Sequence, residues 1–415
     1  MTTSTGGAAA PWRPDEGLLR EVIEQLAVIP RLPTSEGERE AAHLIAERLR
    51  GSGWEAVVEQ VPAHSSYAWP VGLLSAAGVL CALAAGRGRR ALGAIGAALA
   101  AAGIADDISG GSRPFRRVVV PRRSAWNVVA RGGDPDATRT LVVLAHHDAA
   151  PSGIVFDQRL QQWVADNHPR VVAAMKASPP LWWPVVAAPA LVAAGSALGS
   201  RRLRRAGLAG SLLACAAMVD IGRRPAVPGA NDNLSGVAAL AAVAQALRDR
   251  PVEGVRVLLV SAGAEEALQE GIRGFAKAHF PGLPRSSTWF VNLDTVGAGR
   301  LVLLEGEGPL RMRDYHGGFK DFVARRAAAE GIEVLRGLRS RNSTDSEVPN
   351  RAGYPVATVV SVDHQKLIPH YHLDSDTPET VDYGSVADAA RLVEAVARAL
   401  AAEGAQNSPQ GPARR

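Results

Sequence analysis

With 415 residues, 47% of them hydrophobic, the chain can bury a sizeable core, as two or three average domains or as one large α/β domain with insertions. The formal charge of +5 and pI near 9.5 suggest a polyanion binder at first. All but four of the 46 basic residues are arginine, however, and no basic run is interleaved with aromatics, which argues against a nucleic-acid groove. The two cysteines, Cys81 and Cys215, each sit inside an apolar run, so neither a disulfide framework nor a cysteine-type metal site is supported.

The first twenty residues lack a basic stretch followed by an apolar one and do not read as a signal peptide. Residues 15–50 predict two amphipathic helices separated by "IPRLPTSEG", with Ser35 and Glu36 suited to starting the second. "WEAVVEQV", 54–61, predicts a strand. The composition then changes. "WPVGLLSAAGVLCALAAG" (69–86) and "ALGAIGAALAAAGIA" (91–105) carry no charge and are split by a basic tip. A second pair follows at 181–199 and 206–222, split by "RRLRR". Each half is at or just below the roughly 17–25 residues that span a bilayer, and none has the polar face of a soluble helix. These segments predict two membrane hairpins with four short spans.

Outside the hairpins the pattern is α/β. Apolar runs at 140–145, 255–262, 288–293, 301–305 and 355–362 suit buried strands, and they alternate with helical stretches at 234–249, 318–330 and 385–402. The expected fold is a mostly parallel central sheet flanked by helices, with the two hydrophobic hairpins inserted. The catalytic domain is expected to be discontinuous, from 1–62, 124–153 and 229–402. The insertions cover 63–123 and 154–228, and a disordered tail is expected at 403–415.

Acidic and histidine residues collect after the strands. His146 and Asp148 follow "TLVVLA", Asp232 lies in "GANDNLSG", and Glu265 and Glu266 follow "VRVLLVSAGA". Asp294 ends "WFVNLD", and His372 lies beyond the last strand. Each alone reads as a turn or surface residue. Together they converge on the carboxyl edge of one sheet, where open α/β sheets bind ligands. Their N and O donors suit two zinc ions sharing a carboxylate.

"AHHDAAPSG", "GANDNLSGVAAL", "AEEALQEGIRGF", "VNLDTVGAG" and "YHLDSDTPETVD" resemble, in order and spacing, the five metal-site motifs of the co-catalytic zinc exopeptidases. These are the relatives of bacterial secreted aminopeptidases and glutamate carboxypeptidase, clan MH. The resemblance covers roughly 15–62, 124–153 and 229–400. It implies one zinc on His146 and Asp294, a second on Glu266 and His372, and Asp232 bridging. It also implies Glu265 as general base, Asp148 as the carboxylate orienting His146, and Tyr371 as a candidate for polarising the scissile carbonyl. His147, on the opposite face of the strand end, is read as a non-ligand; His370 is the main competitor to His372, with His364 nearby.

The implied activity is a zinc-dependent, membrane-associated aminopeptidase acting on peptides, with carboxypeptidase or N-acyl deacylase action as alternatives. A non-catalytic scaffold would lack ligands, and a single-zinc cyclase would have a degraded first site. The separate amidohydrolase-like clan would need a dimerisation domain that the stretch between Asp294 and His372 is too short to hold. Arg336, Arg339 and Arg341 would favour an acidic substrate group or simply be solvated. Seven arginines at the hairpin tips face seven at their bases, so charge does not orient the hairpins. The lack of a signal peptide favours a cytoplasm-facing catalytic domain. The sequence does not set the oligomeric state.

Overall fold

The computed structural model describes residues 12–407. Two helices open it: α1 (Glu16–Ala27), capped by the Asp15 side chain, and α2 (Glu36–Gly51), capped by Ser35 as expected. After β1 (Glu55–His64) come α3 (Ala68–Gly86), α4 (Arg90–Ile108) and the short α5 (Pro114–Val119). Then β2 (Arg122–Gly133) and β3 (Thr140–His146) lead into α6 (Arg159–Asn167), α7 (Pro169–Ala174), α8 (Trp183–Ala197) and α9 (Arg201–Ile221). The remainder is α10 (Ser235–Asp249), β4 (Arg256–Ala262), α11 (Glu270–His279), β5 (Thr288–Leu293), β6 (Arg300–Leu303), β7 (Gly306–Glu307) and β8 (Arg313–Asp314). It ends with α12 (Gly317–Ala329), β9 (Val334–Leu335), α13 (Glu347–Arg351), β10 (Val356–Val362) and α14 (Tyr383–Asn407).

Eight strands form one sheet in the order β1-β2-β4-β3-β5-β10-β6-β9. Its centre, β4-β3-β5-β10, is parallel, and β1 and β2 add antiparallel at one side. Every residue of β3 and β10 is buried, which is why these strands read as unbroken apolar runs rather than alternating ones. Helices α1, α2, α10, α12 and α14 cover one face around Leu240, Val243, Val393 and Val396; α11 covers the other around Phe275. Because β3, β4 and β5 run in register, His146 sits opposite Ala262 and the ends of all three strands form a common edge.

The two insertions, far apart in sequence, meet as one antiparallel four-helix bundle in which α3, α4, α8 and α9 each pack on two neighbours or more. Small residues line much of its interior, among them Gly72, Ser75, Gly78 and Ala82 of α3, Gly93 and Ala97 of α4, Gly195 and Ser196 of α8, and Gly207 and Ser211 of α9, while Val71, Leu74, Ile104, Met218 and Ile221 form a larger apolar cluster. A Cβ on Gly207 would lie 2.6 Å from both Ala188 O and Val192 N, so α8 and α9 touch backbone to backbone. Other large side chains point outward: Leu80 is 67% exposed, Ile95 63%, Leu99 68% and Leu213 73%.

The second hairpin differs from expectation. Its turn is Leu198–Ser200, and the "RRLRR" arginines, expected in the tip, form the first turns of α9. Among the described residues only α3 and α4 are long and apolar enough to cross a membrane; α8 is shorter. Helix α14 continues through Asn407, into the stretch expected to be a disordered tail; residues 408–415 lie outside the described residues.

A buried ion-pair cluster fastens the bundle to the sheet domain. Arg116 pairs with Asp107 at the end of α4, and Arg113 Nη1 lies 2.8 Å from Glu270 Oε1. His64 Nδ1 lies 3.1 Å from the other Glu270 oxygen. Burial pushes the Glu270 carboxyl up, but His64, Arg113 and Arg116 overcome it and hold it down at about 2. A depressed carboxylate stabilises the fold above its ordinary value and loses that contribution as pH falls towards its folded value. Glu270→Gln should therefore cost about 3 kcal/mol in detergent at neutral pH. The gap to wild type should close as pH falls from about 4.5 to about 2. Thermal melts across that range check this; a gap independent of pH would contradict it.

Candidate metal centre

The predicted site residues stand at or beyond strand ends, except Asp232, which precedes α10, and Tyr371 and His372, which lie in the loop between β10 and α14. His146 is the last residue of β3, and its ring Nδ1 lies 3.2 Å from Asp148 O and 3.4 Å from Asp148 Oδ1. That leaves Nε2 facing Asp232 Oδ1 at 3.3 Å. Asp148 does more than orient one imidazole. Its two oxygens accept the backbone N–H groups of Glu265 and Glu266, each at 2.9 Å. One buried carboxylate thus ties the end of β3 to the loop after β4.

Asp232 precedes α10 and presents its second oxygen, Oδ2, to His372 Nε2 at 3.3 Å. Glu266 Oε1 lies 3.2 Å from the same nitrogen. His146, Asp232 and Glu266 bring one ligand atom each within 4.8 Å of one another. Asp294 follows β5, is buried, and couples electrostatically to His146, Asp232 and Glu266. Glu265 is held apart from its neighbour by Gln269 Nε2, which donates to Glu265 Oε1 at 3.1 Å. Tyr371 stacks on the His372 ring at 3.9 Å and meets Phe156 edge-on.

The two other histidines in question are engaged elsewhere. His147 Nδ1 pairs with Ser261 Oγ at 2.9 Å, and burial brings its imidazole down to about 4. His370 Nδ1 pairs with Ser375 Oγ at 2.8 Å, and His364 is exposed. Arg336 pairs with Glu305 and Asp321, and Arg339 with Asp314, while Arg341 lies over the Trp183 ring at 4.7 Å. The first two arginines are accounted for by surface pairing.

The electrostatics match a cation site. Burial pushes up the carboxyls of Glu265, Glu266 and Asp294, the last to about 7. Burial works against charge on His372 too, yet Glu266 and Asp232 carry it up to about 10. The same two-sided pairing outweighs burial at Asp232 and holds its carboxylate below the usual range. His372 Nδ1 is buried without a hydrogen-bond partner, and Asp232 Oδ2, also buried, has only the ion-pair contact with His372 Nε2. Buried carboxylates and imidazoles with spare donor atoms fit a divalent cation that takes mixed N and O ligands.

The supporting residues were less visible in the sequence. Asp376 accepts the N–H groups of Asn231 and Asp232 at 2.8 and 3.0 Å and so sets the Asp232 loop. Arg31, fully buried, donates to His147 O and Pro228 O, both at 2.8 Å, joining that loop to the end of β3. Glu38 accepts the Trp126 N–H at 2.9 Å and that of Thr34. Asp345 has both oxygens buried and unpartnered, and burial brings its carboxyl up to about 8. The only advance signals were an arginine between two prolines ahead of α2, a glutamate in the first turn of α2 and a second aspartate in "HLDSDTP". Ala264, Leu268, Gln269, Thr295 and His372 all adopt left-handed φ values of 49° to 69°, so strained backbone gathers around the site.

Residues 217–397 match the model of Peptidase family M28, similar to the family that the motifs resemble. Among solved structures, an aminopeptidase from Aneurinibacillus sp. strain AM-1 shares the fold with a TM-score of 0.55 at 14% identity, over 92% of this chain and 93% of that one. A zinc aminopeptidase from Bacillus subtilis gives 0.53 at 13%, over 92% and 94%. Tannerella forsythia glutaminyl cyclase gives 0.55 at 15%, over 93% and 99%. No curated protein matches the sequence.

Proposed function

We propose that this chain is a membrane-inserted, two-zinc exopeptidase that removes residues from the N-terminus of peptides. The observation that carries the reading is Asp232, whose two oxygens each face a different histidine at 3.3 Å. His146 and Asp294 would hold one zinc, Glu266 and His372 the other, and Asp232 would bridge. Zinc bound there supplies an acidified water and a polarised carbonyl. The other roles fall to side chains. Glu265, raised by burial and turned by Gln269, takes the proton from the attacking water and returns it to the leaving amine. Asp148 fixes the His146 ring and the Glu265–Glu266 loop together. Tyr371 lies beside His372, where its hydroxyl can polarise the scissile carbonyl. A substrate screen tests this: zinc-loaded protein should cleave aminoacyl amides and not N-acyl or C-terminal substrates, and the reverse preference would overturn the aminopeptidase reading.

The bundle supports insertion in a bilayer. Small residues inside and large apolar ones outside suit helices that pack by close approach in lipid. Helices α3 and α4 have 19 residues each, about 28 Å, close to the roughly 30 Å hydrocarbon thickness. Trp69 and Trp183 stand half exposed at the end nearest the sheet domain, like an interfacial aromatic belt.

Orientation can be argued from the arginines. At the base, Arg113 and Arg116 are buried in the Glu270–Asp107 cluster and Arg224 pairs with Asp220, which leaves Arg117, Arg122, Arg123 and Arg223 exposed there against seven at the tip. At the tip, Arg87, Arg89, Arg90, Arg201, Arg202, Arg204 and Arg205 have no ion pair among the described residues. Basic charge in short connecting turns favours the cytoplasmic side, so the tip would face the cytoplasm and the peptidase the outside. This reverses the side expected from the N-terminal sequence. The protein should stay in the membrane pellet through an alkaline carbonate wash, and external protease should remove its C-terminal tail in intact cells. Release by carbonate would refute insertion; a protected tail would reverse the orientation.

A further inference from the structure

Zinc exopeptidase activity as proposed leaves open what the bundle is for, and the cavity beside the metal centre bears on that. A space of about 140 Å³ lies between the base of the bundle and the candidate site. Its floor is Glu265, Glu266, Tyr371 and His372; its opposite wall includes Tyr67, Trp182, Val185, Ala217, Met218 and Ile221. All six wall residues come from the two insertions. None of them is charged. The wall is also held rigidly against the catalytic loop. Arg113 Nη2 donates to Leu268 O at 2.9 Å and Arg116 Nη1 to Ala267 O at 2.5 Å, so arginines from the first insertion grip the loop that carries Glu265 and Glu266. Tyr67 and Trp182, one from each insertion, meet edge-on at 5.4 Å and close the wall between them.

We infer that the base of the bundle is the side-chain pocket of the enzyme, and that it selects substrates whose residue at the scissile bond is large and apolar. The inference rests on the exopeptidase reading above and deepens it. The volume decides the class. An apolar cavity of roughly 150 Å³ holds a benzene ring, so this one takes a leucine or phenylalanine side chain and leaves an alanine methyl in mostly unfilled space. A charged side chain would be buried against Val185, Met218 and Ile221 with no partner on the wall. The bundle is therefore part of the active site as well as an anchor.

The test uses the full-length, zinc-loaded protein in detergent with leucyl, phenylalanyl, alanyl and glutamyl amides of one leaving group. Wild type should prefer leucyl and phenylalanyl over alanyl by at least about tenfold in kcat/KM, as apolar pockets discriminate, with glutamyl poorest. Ala217→Phe, which fills the cavity from α9, should lower the leucyl-to-alanyl ratio of kcat/KM at least about tenfold. Ile221→Ala, which enlarges it, should raise the phenylalanyl-to-leucyl ratio. Equal losses on all substrates in both variants, or no apolar preference in wild type, would overturn the pocket assignment while leaving the peptidase reading standing. Failure of wild type to cleave any of the four would sink that reading and this inference with it.

Discussion

Glu265→Gln is expected to lower kcat by at least about a hundredfold, the usual scale of a general acid–base contribution, while retaining bound metal. The physical reason is the division of labour between adjacent glutamates. Glu266 Oε1 faces His372 Nε2 at 3.2 Å, whereas Glu265 is turned to Gln269 and lines the cavity. Glutamine keeps the size and the Gln269 contact but cannot carry a proton. Steady-state kinetics with parallel metal analysis separate the two roles. If Glu265→Gln lost metal while Glu266→Gln kept both metal and rate, the assignments would be exchanged.

Asp232→Asn is expected to act the other way, removing metal rather than a proton carrier. Its carboxylate stands between two imidazoles, and its loop is fixed by Asp376 through two backbone N–H groups. The loop should therefore hold its shape after substitution, and what is lost is the shared negative charge. Substitutions that merely support a ligand cost about ten- to a hundredfold in metal affinity; loss of the shared ligand should exceed that range. Isothermal titration of apoprotein with zinc would measure it. Unchanged affinity for both ions would exclude Asp232 as the bridge.

Part of this arrangement was legible in the chain because His146, the Glu265–Glu266 pair and Asp294 each follow a buried apolar run. The central parallel strands are buried on both faces and so carry few polar residues, and three of them end at His146, at the Glu265 loop or at Asp294. The supporting residues were not legible. Arg31, Glu38 and Asp376 act through hydrogen bonds spanning tens to hundreds of residues, and nothing local marks them or the buried Asp345. Strand β2 was missed because "RRSAWNVVARGG" flanks a short buried centre with exposed arginines and glycines at its two ends. The assembly of the hairpins into one bundle was also invisible, since helices that pack through Gly and Ala show no periodic apolar stripe. The cavity between that bundle and the metal centre follows from the assembly and could not be read before it.

The most direct measurement of the central claim is the zinc content of pure, active protein, followed as metal is removed by chelator and restored. Two zinc ions per chain, with activity lost on chelation and regained on zinc addition, is the result predicted from His146, Asp232, Glu266, Asp294 and His372 acting as one ligand set. Full activity with one zinc or none would contradict it.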